Sequence, residues 1–149
     1  MPNPIAIIHG WSDDGISFRG MREFLVAQLG VPATIIRLGD WISLDDQVGY
    51  ADIAIALERA WRAAGLPTSP RSVDVVAHST GALVVREWMT RYWAPETVPI
   101  QRFLQLAPAN FGSHLAHKGR SFIGRAVKGW STGFETGTRI LRGLELASP

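Results

Sequence analysis

The stretch VDVVAHSTGALVVREW, residues 73–88, confines this chain to a small set of architectures. It passes from a β-branched apolar run, Val73, Val75 and Val76, into a segment that spaces Leu83, Arg86, Glu87 and Arg91 as an amphipathic helix does. Between the two stand only Ala77, His78, Ser79, Thr80 and Gly81. Strand and helix place side chains with different periods, so a change of period over so few residues marks a sharp corner. An apolar strand of this kind suits a position buried on both faces, as in a parallel sheet. The chain must therefore turn at Ser79.

The same alternation runs along the rest of the sequence. IAIIH (5–9) reads as a strand, SFRGMREFLVAQLG (17–30) as a helix closed by Gly30, and ATIIRL (33–38) as a second strand. Residues 43–66 read as helical from about Asp46, with Ile53, Ile55, Leu57, Ala60 and Trp61 on the apolar side and Gly65 and Pro67 as the stop. After the Ser79 corner and its helix, IQRFLQLA (100–107) makes a fourth strand. Strands separated by helices pair in parallel through right-handed crossovers. The expectation is an α/β fold, a three-layer sandwich whose mostly parallel sheet carries helices on both faces. HGW, HST and PANFGS then all follow strand carboxyl ends and converge on one rim, where ligands of such sheets bind.

A serine at a strand-to-helix corner between small residues has its hydroxyl held clear of the backbone, and Ala77 and Gly81 are the small flanks here. The competing reading of Ser79 is a helix cap. AHSTG resembles the G-x-S-x-G nucleophile elbow of the α/β-hydrolase superfamily, in the variant with Ala at the first position that occurs among small bacterial lipases. The resemblance implies a lipase- or esterase-type serine hydrolase with Ser79 as nucleophile. An oxyanion needs fixed donors, and the helix start supplies one at Thr80 N–H. HGW resembles the H-G-x segment of lipases and esterases, which implies Trp11 N–H as the second donor, with His9 and Gly10 shaping the pocket turn. LAPANFGSHLA (106–116) is similar to the P-x-x-G-S segment of many lipases, which implies a pocket-lining Phe111 and a turn capped by Ser113. The three segments together cover residues 5–116. Strand alternation turns His78 away from Ser79, so it is expected to pack beneath the corner.

In this superfamily the triad runs serine, acid, histidine. After Ser79 the acids are Glu87, Glu96, Glu135 and Glu145, and the histidines are His114 and His117. Glu87 falls about two turns into the helix and Glu96 in a loop at the opposite end of the sheet, so neither suits the role. His114 follows the correct rim and is a weak candidate for a base, and His117 a weaker one. The pair His114 and His117, without a neighbouring carboxylate, reads as surface residues, and no metal site is expected. After Ala107 no clear strand follows, and residues 114–149 read as a helical, lid-like segment of a single domain spanning 1–149. The expectation is the amino-terminal portion of a longer hydrolase, truncated after its fourth strand, with the acid and histidine beyond Pro149. The alternative is a non-catalytic α/β module that binds a partner through its rim. An uncovered fourth strand exposing Phe103 and Leu106 would favour self-association.

The absence of cysteine removes thiolate catalysis and disulfides, and serine chemistry calls for no cofactor. Lys and Arg outnumber Asp and Glu by six to two over residues 114–149, but at a spacing typical of a solvated helix face. No nucleic-acid module is recognisable, and no apolar run is long enough to span a bilayer. MPNPIAIIHG lacks the basic start of a secretory signal, so a cytoplasmic location is expected. Trp11, Phe18, Trp41 and Phe111 near the rim favour a small-molecule or lipid ester with an apolar acyl chain.

Overall fold

The computed structural model describes residues 2–10, 15–42 and 48–109. The strands are β1 (Ile5–Ile8), β2 (Ala33–Ile36), β3 (Val73–His78) and β4 (Ile100–Leu106). They form one parallel sheet in the order β2-β1-β3-β4. The crossovers are α1 (Arg19–Leu29), α2 (Tyr50–Ala63) and α3 (Thr80–Tyr92), with single-turn helices at Ile16–Phe18 and Leu38–Asp40. The chain steps outward from β1 to β2 and then returns across β1 to β3. The order therefore reverses between β1 and β3, and in such sheets ligands bind beyond the carboxyl ends of the strands at that point.

Alternation along the strands divides the core into two layers. Ala6, Ile8, Val73, Val75 and Ala77 pack with Ile53, Leu57, Trp61, Val85 and Trp88 of α2 and α3. Ile5, Ile7 and Val76 face the other way, onto Phe18, Val31 and the partly buried Met21 and Leu25 of α1. The expected three layers, with helices on both faces, are present. Most of the buried apolar area lies on the α2/α3 side, where each fully buried large aliphatic contributes about 1.5–3 kcal/mol. Trp61 and Trp88 stack there with ring centroids 4.7 Å apart. Trp88 Nε1 donates to Glu58 Oε2 at 2.6 Å, tying α3 to α2.

Three local details depart from the sequence reading. Val48 and Gly49 are not helical, so α2 starts at Tyr50, where Gly49 N–H donates to the Asp52 carboxylate at 2.9 Å. A carboxylate in the first turn both satisfies a free donor and opposes the helix dipole. Ile55 is exposed, because the buried stripe of α2 runs through Ile53, Ala54, Leu57, Ala60 and Trp61, and a residue two after Ile53 falls on the other side. In β4, Val73 pairs with Ile100 but Asp74 pairs with Arg102, so Gln101 is an extra residue at a register shift.

That shift explains IQRF, whose apolar residues are three apart and cannot share one face of a regular strand. With Gln101 absorbed, Phe103 joins the α2/α3 core and Arg102 reaches Asp74 on the opposite face, at 3.2 Å. The apolar residue left most open on β4 is consequently Leu104, 57% exposed. Phe103 and Leu106, expected to be exposed, are partly buried against the two cores.

Candidate active site

β3 ends at His78 and α3 begins at Thr80, so Ser79 alone makes the corner. Its backbone sits at φ 53 and ψ −125. Such a conformation costs a residue with a Cβ on the order of 1–3 kcal/mol and persists only where its surroundings enforce it. Ser79 N–H donates to Leu106 O at 3.0 Å, which fixes the corner to the end of β4, and Ser79 O accepts from Ala82 N–H at 3.2 Å as the helix opens.

Two glycines complete the enforcement. A Cβ on Gly81 would lie 2.5 Å from His9 O and 3.0 Å from Ile8 O, so the first turn of α3 rests directly on the end of β1. A Cβ on Gly10 would lie 3.0 Å from Ser79 Cβ, so the residue after His9 lies against the serine side chain. The segments HG and AHSTG, far apart in sequence, are one packed unit. First-turn N–H groups of a helix have no carbonyl one turn earlier, so the start of α3 brings the positive end of its dipole to Ser79.

The four histidines of the sequence fare differently. His9 is buried, its Nδ1 lies 2.9 Å from Gly10 O, and its Nε2 has no partner. A carbonyl can only accept, so Nδ1 carries the proton. The ring edge abuts Gly15, at the side of the sheet where β2 ends. His78 packs on Phe18 with ring centroids 5.6 Å apart, on the α1 face and beneath the corner, as alternation requires. His114 and His117 lie outside the described residues, as do Trp11 and Phe111. Thr80 is buried at the first position of α3. Among the described residues, no side chain is hydrogen-bonded to Ser79 Oγ. Glu87 is held by Arg91 at 2.8 Å, and Glu96 is exposed in the loop before β4, so neither carboxylate stands at the rim.

Tyr50 escaped the sequence reading. It opens α2 at the rim end of the sheet, partly buried against the same core as Leu83 and Ala109, and its hydroxyl has no partner. Burial pushes its pKa up to about 12, which keeps the phenol neutral. Only its unusual place at the first position of the helix distinguishes it in sequence.

No protein-family model and no curated protein matches the chain. Comparison with solved structures, together with the strand order, shows the α/β-hydrolase fold and supports a lipase- and esterase-like relationship. It is similar to phospholipase PlaB from Legionella pneumophila, with 32% identity and a TM-score of 0.75 over 98% of this chain and 33% of that one. PlaB in complex with thio-NAD gives 33% identity and a TM-score of 0.69 over 97% of this chain and 32% of that one. An extracellular α/β-hydrolase from a Paenibacillus species, described as a structural and functional homologue of tobacco salicylic acid binding protein 2, shares the fold at 18% identity. Its TM-score is 0.57, over 86% of this chain and 53% of that one. The chain thus spans about a third of the length of the PlaB chains it matches.

Proposed function

We propose that Ser79 is the nucleophile of a serine hydrolase that cleaves carboxylic esters of lipids. The observation that carries this reading is the strained corner itself: a serine at φ 53, wedged between Gly10 and Gly81 at the carboxyl end of the sheet. Backbone strain of this size at a solvent-facing rim serves a structure poorly and a nucleophile well. In this reading Ser79 Oγ attacks the ester carbonyl carbon, its proton passes to a general base, and the carbonyl oxygen becomes an oxyanion held by the N–H groups of Thr80 and Trp11. Collapse expels the alcohol, which takes up the proton, and water then releases the acid from the acyl-enzyme. The general base and its carboxylate partner lie outside the described residues.

The similarity to PlaB, a phospholipase, supports a lipid ester as the substrate class. Phospholipid and p-nitrophenyl ester hydrolysis by the purified protein and by Ser79→Ala tests the reading. Turnover should fall by at least about 10³-fold in the variant. Wild-type turnover that Ser79→Ala retains would remove Ser79 from the chemistry, and no turnover by either would favour the non-catalytic module.

A further inference from the structure

We propose that Tyr50 is a substrate-binding residue whose hydroxyl donates to an oxygen in the alcohol part of the ester attacked by Ser79, so that the site selects glycerol-type esters. The proposal rests on the lipid-ester reading above. Among the described residues, five side-chain polar atoms are buried without a hydrogen-bond partner, and four of them stand at the carboxyl-end rim around Ser79. They are His9 Nε2 just past β1, His78 Nδ1 at the end of β3, Gln105 Oε1 one residue before the end of β4, and the Tyr50 hydroxyl at the first position of α2. The fifth, Trp93 Nε1, follows the opposite end of α3. Buried polar groups without partners are rare in folded proteins, and their gathering at one end of the sheet points to a ligand that completes them.

The packing of α2 on α3 sets the height of Tyr50. Both helices leave the rim and run to the far end of the sheet, so they lie parallel, and they are matched at Trp61 and Trp88, whose ring centroids are 4.7 Å apart. Tyr50 precedes Trp61 by eleven residues, about 16 Å of helix, whereas Thr80 precedes Trp88 by eight, about 12 Å. Tyr50 therefore stands roughly 4 Å beyond the first residue of α3, at the height of Ser79 and about one helix spacing, 8–10 Å, to its side. It lies on the stripe of Ile53, Ala54, Leu57 and Trp61, and it packs on the core those residues share with α3.

The chemistry of the unpaired atoms selects the partner. His9 Nδ1 holds the proton of its ring, so Nε2 accepts, as does Gln105 Oε1, whereas the Tyr50 phenol, which burial keeps protonated, donates. In the reading above the scissile carbonyl oxygen takes its donors from Thr80 and Trp11. An acyl chain is hydrocarbon and carries no acceptor. The oxygens that remain in a lipid ester belong to its alcohol part, where glycerol supplies them next to the scissile bond.

Hydrolysis of glyceryl monooctanoate and of 1-naphthyl octanoate tests this, because the two share an acyl chain and the naphthyl group has no oxygen beyond the ester. Tyr50→Phe should lower the ratio of kcat/KM, glyceryl over naphthyl, roughly tenfold or more. Tyr92→Phe, which alters the other tyrosine at the far end of α3, should leave that ratio within about twofold. An equal fall on both esters, as a merely structural role would give, or an unchanged ratio would overturn the proposal, while Ser79-dependent turnover would keep the hydrolase reading. Binding of the same esters to Ser79→Ala, with and without Tyr50→Phe, is a readout independent of turnover. The second substitution should weaken the glyceryl ester about tenfold more than the naphthyl ester. If the wild type turns over neither ester the hydrolase reading fails, and this binding then decides: a selective loss upholds Tyr50 as a binding residue, and an equal effect on both overturns it.

Discussion

Replacing Gly81 by alanine tests how the serine corner is held. The new Cβ would meet His9 O at 2.5 Å, Ile8 O at 3.0 Å and His9 C at 3.1 Å, all of them backbone atoms of or next to β1. An ordinary carbon-to-oxygen contact is about 3.3 Å, so α3 must lift off the end of β1 by roughly 0.8 Å. Overpacking of this kind costs about 1–3 kcal/mol, and the gain of helix propensity on losing a glycine returns at most about 1 kcal/mol. A net loss of about 1–2 kcal/mol is expected in urea unfolding. Because Ser79 is two residues from the clash, the same shift should slow phosphonate labelling of the serine by roughly 10²-fold. Gly20→Ala is the control. Gly20 lies in α1, where an added methyl group would meet nothing within 4 Å, so that variant should be neutral or more stable by up to about 1 kcal/mol, with labelling unchanged. Gly81→Ala as stable as Gly20→Ala, with labelling at the wild-type rate, would refute the close packing of α3 on β1.

Glycine adopts φ 53 without a Cβ penalty, so Ser79→Gly should be more stable than Ser79→Ala by about 1 kcal/mol in denaturant unfolding. Tyr50→Phe removes a buried hydroxyl that has no partner, and thermal unfolding at neutral pH should show it more stable by roughly 1 kcal/mol. Since the folded-state pKa of Tyr50 is raised to about 12, its contribution is fully present below pH 10 and is lost as pH rises towards 12. After allowance for its partial exposure the loss is about 1–2 kcal/mol, and it should be missing from the stability profile of Tyr50→Phe. Trp88→Phe breaks the hydrogen bond to Glu58 inside the α2/α3 layer and should cost about 2–4 kcal/mol in urea unfolding.

Where one residue type and one local period decide the outcome, the structure was legible in the sequence. The valines of β3, the change of period at Ser79 and the small residue at 81 specify a strand, a corner and a helix without reference to anything distant. Gly30, at φ 64, closes α1 for an equally local reason. The shift at Gln101 was not legible, because an extra residue in β4 has meaning only against its register partners Val73 and Asp74 on another strand. The start of α2 at Tyr50 was not legible, because the bond from Gly49 N–H to Asp52 that marks it leaves no signal in the apolar period. At the site, the contact of Gly10 with Ser79 joins residues nearly seventy apart; the shared rim at the strand ends and the resemblance of HGW to known loops pointed to their neighbourhood, and neither gives the contact itself. The partnerless hydroxyl of Tyr50 leaves no trace in any periodicity.

The account turns on Ser79 as a nucleophile, and mass spectrometry of the protein after reaction with a fluorophosphonate measures that directly. The account predicts one phosphonyl adduct, on the peptide that carries Ser79, formed by the wild type and absent from Ser79→Ala. An unmodified wild-type protein, or an adduct on any other residue, would contradict it.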